Sequence, residues 1–565
     1  MKLFSFIRAN LVLILIFFLA LTLRTYNLSE FPVGLHGDEA SVGYNAYSIL
    51  KTGHDQDGNF LSLYINQFGD FRPSGYHNID VPFVALLGLN ETAVRLPAAL
   101  FGSFNVILIY FLIQTLFKKK NMALMGAGLL AILPWDINIS RATSESVIAS
   151  FFVTLGVLLF LIAVQKKGRT VLLFFLSTVF LLISFLFYHS ARYFTVLFLP
   201  FLILYTYLSN KRKIISSIII SVVVVLGLVF FLSAGKGTGR VSEISLFSIP
   251  GGTVHLKQAM DEEGTTNPLI TRFYDNKLFY YGRFFVTFYS EHLSGDFLFI
   301  NNGFPIRYAI PFTGNLYPIQ APFLLLGLAI LITEGIKSKK YYYLIPVAWL
   351  LIAPIPAALT WEDLPNIQRS SLMIIPLVII SVFGFNEVLM LLKGKIKIVF
   401  VIIVLLILVQ GVFYFYHNYF WRTKIDQPWY RGYATKQLIF NIEDITKQNP
   451  KTKFVMTTQS NDNFIFYLFY TKFDPKTFQK LGSPKEKDKL SFENLTYLDK
   501  DCPLAGNPKL SQKVIPDTIF VDKPECQLPK NAEIINTIRT SDGVPAFNLI
   551  KLTNFKTQAN SQINK

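Results

Sequence analysis

The sequence predicts an α-helical polytopic membrane protein of about eleven transmembrane helices, closed at its C-terminus by a small α/β domain. Three observations predict it. Apolar runs of about 18 or more residues recur, each long enough to cross the roughly 30 Å hydrocarbon layer as a helix. The composition is 52% hydrophobic and only 16% charged, with 54 Phe, which suits a chain largely dissolved in lipid. Third, the basic residues fall in short clusters between the apolar runs: Lys118–Lys120, Lys166, Lys167 and Arg169, Lys211–Lys213, Lys337, Lys339 and Lys340, and Lys393, Lys395 and Lys397. If these clusters are cytoplasmic, every second connection is basic, as the positive-inside rule requires. That placement argues against nucleic acid as the reason for the net charge of +17, because no stretch interleaves basic and aromatic side chains for such binding.

The expected spans are 9–24, 93–117, 121–135, 146–165, 170–188, 193–209, 214–233, 319–336, 341–359, 371–391 and 398–416. No small-residue cleavage site follows the first; Arg24-Thr25-Tyr26-Asn27 comes next, so it reads as an uncleaved anchor. A cytoplasmic N-terminus and an odd number of spans put the C-terminus outside. Together 1–416 form the membrane domain, with two long outer loops at 25–92 and 234–318. Tyr44–Leu50 is a plausible amphipathic piece lying at the lipid interface. In 417–553, short β-like runs at Lys453–Thr457, Thr518–Val521 and Phe547–Leu552, with helical stretches near 434–448 and 461–471, read as an extracytoplasmic α/β domain. Residues 554–565 read as a disordered tail. Cys502 and Cys526 are the only cysteines, so theirs is the one possible intrachain disulfide.

Ionisable residues are scarce inside the spans and gather at their outer ends. These include Asp38, Glu39, Asp136, Arg141, Glu145, His189, Arg192, Glu362, Asp363 and Arg369. A ring of this kind suits an enzyme working at headgroup level; proton-coupled transporters carry ionisable groups at mid-membrane depth. The sharpest local signal is Gly34-Leu35-His36-Gly37-Asp38-Glu39-Ala40. One reading is structural, with Asp38 capping the following helix and Glu39 complementing its dipole. The other is catalytic. Glu145, four residues after Arg141, is expected to pair with it on one helical face.

Several stretches carry a resemblance. They run Gly37-Asp38-Glu39-Ala40, Gly43-Tyr44-Asn45-Ala46-Tyr47-Ser48-Ile49, Thr52-Gly53-His54-Asp55, Gly69-Asp70, Gly88-Leu89-Asn90-Glu91 and Arg95-Leu96-Pro97. In this order they resemble the first outer loop of glycosyltransferase family 39-like proteins. That family belongs to the GT-C superfamily, with the protein O-mannosyltransferases and the aminoarabinose transferase of lipid A. Pro134-Trp135, Ser140-Arg141, Tyr188-His189-Ser190-Ala191-Arg192-Tyr193, Gly314-Asn315-Leu316-Tyr317 and Arg369 extend the similarity over about residues 1–400. Relatives carry a basic residue followed by Pro-Pro-Leu-Tyr late in the loop; here Arg72-Pro73-Ser74-Gly75-Tyr76 keeps the charge and alters the turn.

The resemblance implies a GT-C-like fold and inverting transfer of a sugar from a polyprenyl-phosphate carrier to an acceptor hydroxyl. The acceptor is a lipid, protein or surface polymer, and the site faces the extracytoplasmic side of the plasma membrane. Asp38 matches the general base, and Glu39 would position the acceptor. A hydroxyl is a poor nucleophile, so a carboxylate must take its proton. Arginines can hold the leaving phosphate bidentately. Arg72, Arg141, Arg192 and Arg369, with Glu145 and His189, are the expected phosphate and sugar ligands, and Asp136 is a further candidate carboxylate. The aspartate-rich metal motif of oligosaccharyltransferase-type relatives is not apparent, so neither a metal nor another cofactor is expected. The alternatives are a flippase for lipid-linked saccharides, which needs a polar path through the spans, and a noncatalytic glycan-binding relative.

Overall fold

A computed structural model describes residues 2–67, 69–234, 242–263, 269, 273–274, 276–426, 431–457, 463–481, 489–498, 502–506 and 516–553; the expected tail at 554–565 lies outside them. Among the described residues, each of the eleven expected spans coincides with an apolar helix. Eight are long and apolar enough to cross a membrane, one is broken, and the remaining two, Asn10–Thr25 and Val171–Ser184, are shorter. The protein is a multi-pass membrane protein. The broken span joins α5 (Lys120–Ile132) to α6 (Pro134–Ser140) through a bend of 54°. Pro134 supplies the cause, since it cannot donate a backbone N–H into the preceding turn and its ring excludes the straight path.

The first span is α1 (Lys2–Thr25), and the segment after it is more structured than its composition suggests. It contains α2 (Gly37–Thr52), the hairpin β1 (Tyr64–Gln67) and β2 (Asp70–Pro73), and α3 (Gly75–Leu87). Spans α4 (Glu91–Phe117), α7 (Glu145–Gln165), α8 (Val171–Ser184), α9 (His189–Ser209) and α10 (Ile214–Ser233) follow. The next helices include Gln320–Lys337, Ile374–Leu391 and Gly394–His417. Helices Gln320–Lys337 and Ile374–Leu391 cross where Gly327 meets Gly384. A Cβ on Gly327 would collide with Ile380 O, and one on Gly384 with Phe323 O, so only glycine permits this approach.

The bundle has two chemically different ends. At one, the basic clusters meet: Lys118 Nζ donates to Gln165 Oε1 at 3.0 Å and Lys119 Nζ lies 3.3 Å from Glu387 Oε1. At the same end Asn210 Nδ2 donates to Val164 O. Loops and the C-terminal domain occupy the other end. That domain carries a six-stranded sheet in the order β4-β5-β3-β6-β8-β7. Its strands are β3 (Lys453–Thr457), β4 (Lys489–Phe492), β5 (Leu495–Leu498), β6 (Thr518–Asp522), β7 (Ala532–Arg539) and β8 (Pro545–Leu552). Central β3 is parallel to both neighbours, and the remaining pairs are antiparallel. Cys502 and Cys526 are joined by a disulfide, with Cα atoms 5.7 Å apart.

The domain is packed onto α2. Leu35, Ala40 and Tyr44 share one apolar cluster with Leu438, Ile439, Phe466 and Phe469. Gln479 Nε2 donates to Ser48 Oγ, Thr52 Oγ1 and Asp55 O at 2.9–3.1 Å. The expectation that Tyr44–Leu50 lies at a lipid interface does not hold for its first residues, which face this domain. Tyr44 and Ala46 are fully buried against protein, while Leu50 at the end of the segment stays exposed.

Candidate active site

Local chemistry at the start of α2 decides which carboxylate is available. His36 is the N-cap: its Nδ1 accepts from the Asp38 backbone N–H at 3.1 Å, while Glu39 Oε2 accepts from the His36 N–H at 3.0 Å. This reciprocal capping box satisfies the orphan donors of the first turn. Asp38 is thus not the cap, contrary to the structural reading of the sequence, and its carboxylate turns into a cavity.

That cavity has a volume of about 590 Å³ and lies at the loop-bearing end of the bundle. Of the ionisable residues singled out in the sequence, Asp38, Arg72, Glu145, His189, Glu362, Asp363 and Arg369 line it. Asp38 Oδ2 accepts from Arg72 Nη1 at 3.1 Å and lies 3.5 Å from Arg307 Nη2; its side chain is 14% exposed. The β1/β2 hairpin presents Arg72, pairing it with Ile65, and Gln67 Nε2 donates to Asp38 O at 3.0 Å. Arg369 donates to Thr360 Oγ1 at 2.9 Å and lies 3.7 Å from Glu362 Oε2.

Charge within the cavity is partly paired. Three arginines (Arg72, Arg307, Arg369) face five carboxylates (Asp38, Asp70, Glu145, Glu362, Asp363). Burial would raise the Asp38 carboxyl, but Arg72 and Arg307, with the Arg72 hydrogen bond, hold it well below the usual carboxylate range. Burial, then Arg307, pull His36 down to about 3, so its imidazole is neutral at physiological pH and can accept from the backbone. Among the described residues, no three His, Cys, Asp or Glu side chains gather to hold a metal ion.

Four expected residues lie elsewhere. Glu39 is fully buried beneath the cavity, with Arg95 Nε 3.2 Å from Oε1 and Arg431 Nη2 2.6 Å from Oε2, and it also accepts from Thr143 N–H at 3.1 Å. It is a structural hub and does not line the site. Arg141, also fully buried, donates to Leu23 O at 2.9 Å, Tyr26 O at 2.7 Å and Tyr419 OH at 3.2 Å. It satisfies carbonyls at the end of α1, so the expected pairing with Glu145 is replaced by this cap. Arg192 does the same for Phe185 O at the end of α8, and donates to Tyr64 OH at 2.8 Å. Its Nη1 lies 3.2 Å from His189 Nδ1, so it touches the cavity only through that wall residue. Asp136 is buried against Arg24. Conversely, Arg307 lines the cavity from the short turn Ile306–Tyr308. The sequence around it, an irregular Gly- and aromatic-rich loop, carries no periodicity to mark it.

With this geometry in place, comparison with known proteins shows what the chain is similar to. Residues 81–234 match the family described as dolichyl-phosphate-mannose-protein mannosyltransferase. A putative mannosyltransferase, YycA of Bacillus subtilis, is 29% identical over 233 residues, covering 39% of this chain and 31% of that protein. The oligosaccharyltransferase AglB of Archaeoglobus fulgidus, solved with an inhibitory peptide and a dolichol-phosphate, superposes with a TM-score of 0.52 at 13% identity. That match covers 81% of this chain and 63% of AglB. ArnT of Cupriavidus metallidurans, solved with undecaprenyl phosphate, matches over 95% of this chain and 96% of its own at 13% identity and a TM-score of 0.49. This chain thus spans about a third of the length of YycA and under two thirds of AglB. It shares the fold of AglB, and over residues 81–234 it resembles the mannosyltransferase family named above.

Proposed function

We propose that the protein transfers a sugar from a polyprenyl-phosphate carrier to an acceptor hydroxyl, with inversion and with Asp38 as general base. The observation that carries this reading is a carboxylate and two arginines, Arg72 and Arg307, meeting in one cavity of about 590 Å³. AglB binding a dolichol-phosphate supports a lipid-phosphate ligand for the same fold. The basic clusters at the opposite end of the bundle support a cavity on the extracytoplasmic side of the plasma membrane, with the N-terminus inside and the C-terminal domain outside. No metal or other cofactor enters the scheme.

The acceptor O–H gives its proton to Asp38 as its oxygen attacks the anomeric carbon from the face opposite the phosphate. The bond from that carbon to the phosphate oxygen breaks, and the carrier phosphate leaves with the electron pair, held by arginine donors. In the resting site Asp38 is a poor base because Arg72 and Arg307 already hold it. The donor phosphate competes for those guanidiniums, which frees the carboxylate and restores its basicity. Arrival of the donor is thus coupled to arming of the base.

The test is transfer from a radiolabelled polyprenyl-phosphate sugar, using the full chain in lipid nanodiscs and total envelope glycolipid and protein as acceptors. Wild type is expected to form product while Asp38→Asn does not. Equal turnover by the two would remove Asp38 from the mechanism.

A further inference from the structure

Arg307 supplies one of the two guanidiniums at Asp38, yet little holds its side chain. Among the described residues its hydrogen-bond partner is Asp38 itself, Nη2 to Oδ2 at 3.5 Å, and its Nε is buried without one. Where the guanidinium stands therefore depends on where its backbone stands. That backbone is the short turn Ile306–Tyr308. Among the described residues, two side chains reach the carbonyls of this turn. Asn138 Nδ2 donates to Tyr308 O at 2.5 Å from the broken span, and Arg431 Nη1 donates to Arg307 O at 2.8 Å. The Tyr308 ring lies beside both arginines, 5.4 Å from the guanidinium of Arg307 and 5.8 Å from that of Arg431.

Arg431 belongs to the C-terminal domain, two residues before its helix Tyr433–Gln448, and is 7% exposed. Its second nitrogen, Nη2, donates to Glu39 Oε2 at 2.6 Å, and Glu39 follows Asp38 in the first turn of α2. Its backbone is seated on the loop that leads to Asp38, so closely that a Cβ on Gly34 would strike Arg431 O. One planar fork thus holds both sides of the site, and a rigid fork with two partners sets the distance between them. From this juxtaposition we infer that Arg431 is a positioning residue. It fixes the Ile306–Tyr308 turn against α2 and so places Arg307 beside Asp38, which makes the C-terminal domain a part of the phosphate site. The inference rests on the donor reading above and adds to it the contact that assembles the site. A misplacement of about 1 Å away from the reacting atoms is enough to impair such a site.

The experiment is a double-mutant cycle on the full chain in nanodiscs, with undecaprenyl phosphate as the probe and the unfolding midpoint measured beside it. Arg431→Lys keeps a positive charge on Glu39, but one ammonium cannot also reach Arg307 O. It should weaken the probe by about 3- to 10-fold, the worth of a net hydrogen bond, with little change in midpoint. Arg307→Gln weakens the probe by itself, and adding Arg431→Lys to it should cost nothing further, because the two act through one group. Arg431→Gln, which leaves Glu39 to Arg95, is the second variant; its midpoint should fall, with the same dependence on Arg307. A residue that merely supports the fold would weaken the probe by the same factor with or without Arg307. Additive losses, or full affinity in Arg431→Lys, would overturn the positioning role and leave the carrier reading standing. Failure of both variants to fold would place Arg431 in the framework with Glu39 and overturn it too. Wild type that does not bind the probe overturns the carrier reading and this inference together.

Discussion

Asp38 and Glu39 are neighbours in sequence, each flanked by two arginines, yet they sit in opposite worlds. Asp38 faces a cavity between Arg72 and Arg307; Glu39 is sealed beneath it between Arg95 and Arg431. The charge chemistry is nearly the same. Access is not: Asp38 retains 14% side-chain exposure and Glu39 none. A paired carboxylate next to a cavity can be released by a competing anion, whereas a sealed one can only be missed when removed. Helical geometry separates them, because successive residues point about 100° apart. Glu39 also links α2 to α4 and, through Arg431, to the C-terminal domain.

Substitutions at the two positions should therefore fail in different ways. The largest effect is expected at Asp38. Asp38→Asn should lower transfer by about 10²- to 10⁴-fold, the range for a lost general base, with little change in the unfolding midpoint of the purified protein. Glu39→Gln should do the reverse. Leaving two buried guanidiniums without their counter-charge costs about 3–5 kcal/mol, visible as poor yield and a lowered midpoint. Burial would raise the Glu39 carboxyl, but Arg431 and Arg95 hold it well below its usual range. Its folded value thus lies below its unfolded one. Its stabilisation is complete above roughly pH 5 and is lost as pH falls toward the folded value. Unfolding midpoints measured from pH 7 to pH 3 should fall more steeply in wild type than in Glu39→Gln, which keeps only the smaller contribution of Asp38.

Smaller shifts sharpen the same contrast. Removing Arg72 withdraws a positive charge from Asp38, so Arg72→Gln should move the acid limb of kcat/KM to higher pH. It should also weaken undecaprenyl phosphate binding by about 10-fold, the worth of a hydrogen bond to a charged group. A limb that stays in place would mean that Arg72 does not set the basicity of Asp38. The smallest effect is expected at Lys436, whose pair with Glu91 at 2.7 Å also ties the domain to the bundle but whose side chain is 36% exposed. Lys436→Met should change stability by no more than about 1 kcal/mol. A cost as large as that of Glu39→Gln would show that burial is not what separates the two kinds of contact.

What could be read from the chain alone follows from pattern and period. Eleven apolar runs, the breaks between them and the basic clusters predict the helices, since lipid demands long apolar segments with satisfied backbones whatever their neighbours. The short alternating runs placed β3, β6 and β8 for the same local reason. Asp38 was legible because glycines and two acids stand together directly after a span. By contrast, position at a helix end cannot say where a long side chain turns. Arg141, Arg192 and Arg369 look alike in sequence, but two cap the carbonyls of neighbouring helices and only Arg369 reaches the cavity.

By itself, then, the sequence determined a multi-span bundle with an acidic loop after its first helix and a mixed α/β domain at its end. Local hydrophobic period and turn chemistry are enough for that. Tertiary structure alone decided that His36 rather than Asp38 caps α2 and that Arg307 joins Arg72 at the carboxylate. Each of these depends on contacts between residues tens to hundreds of positions apart or on competition for one backbone donor, and neither leaves a period in the chain.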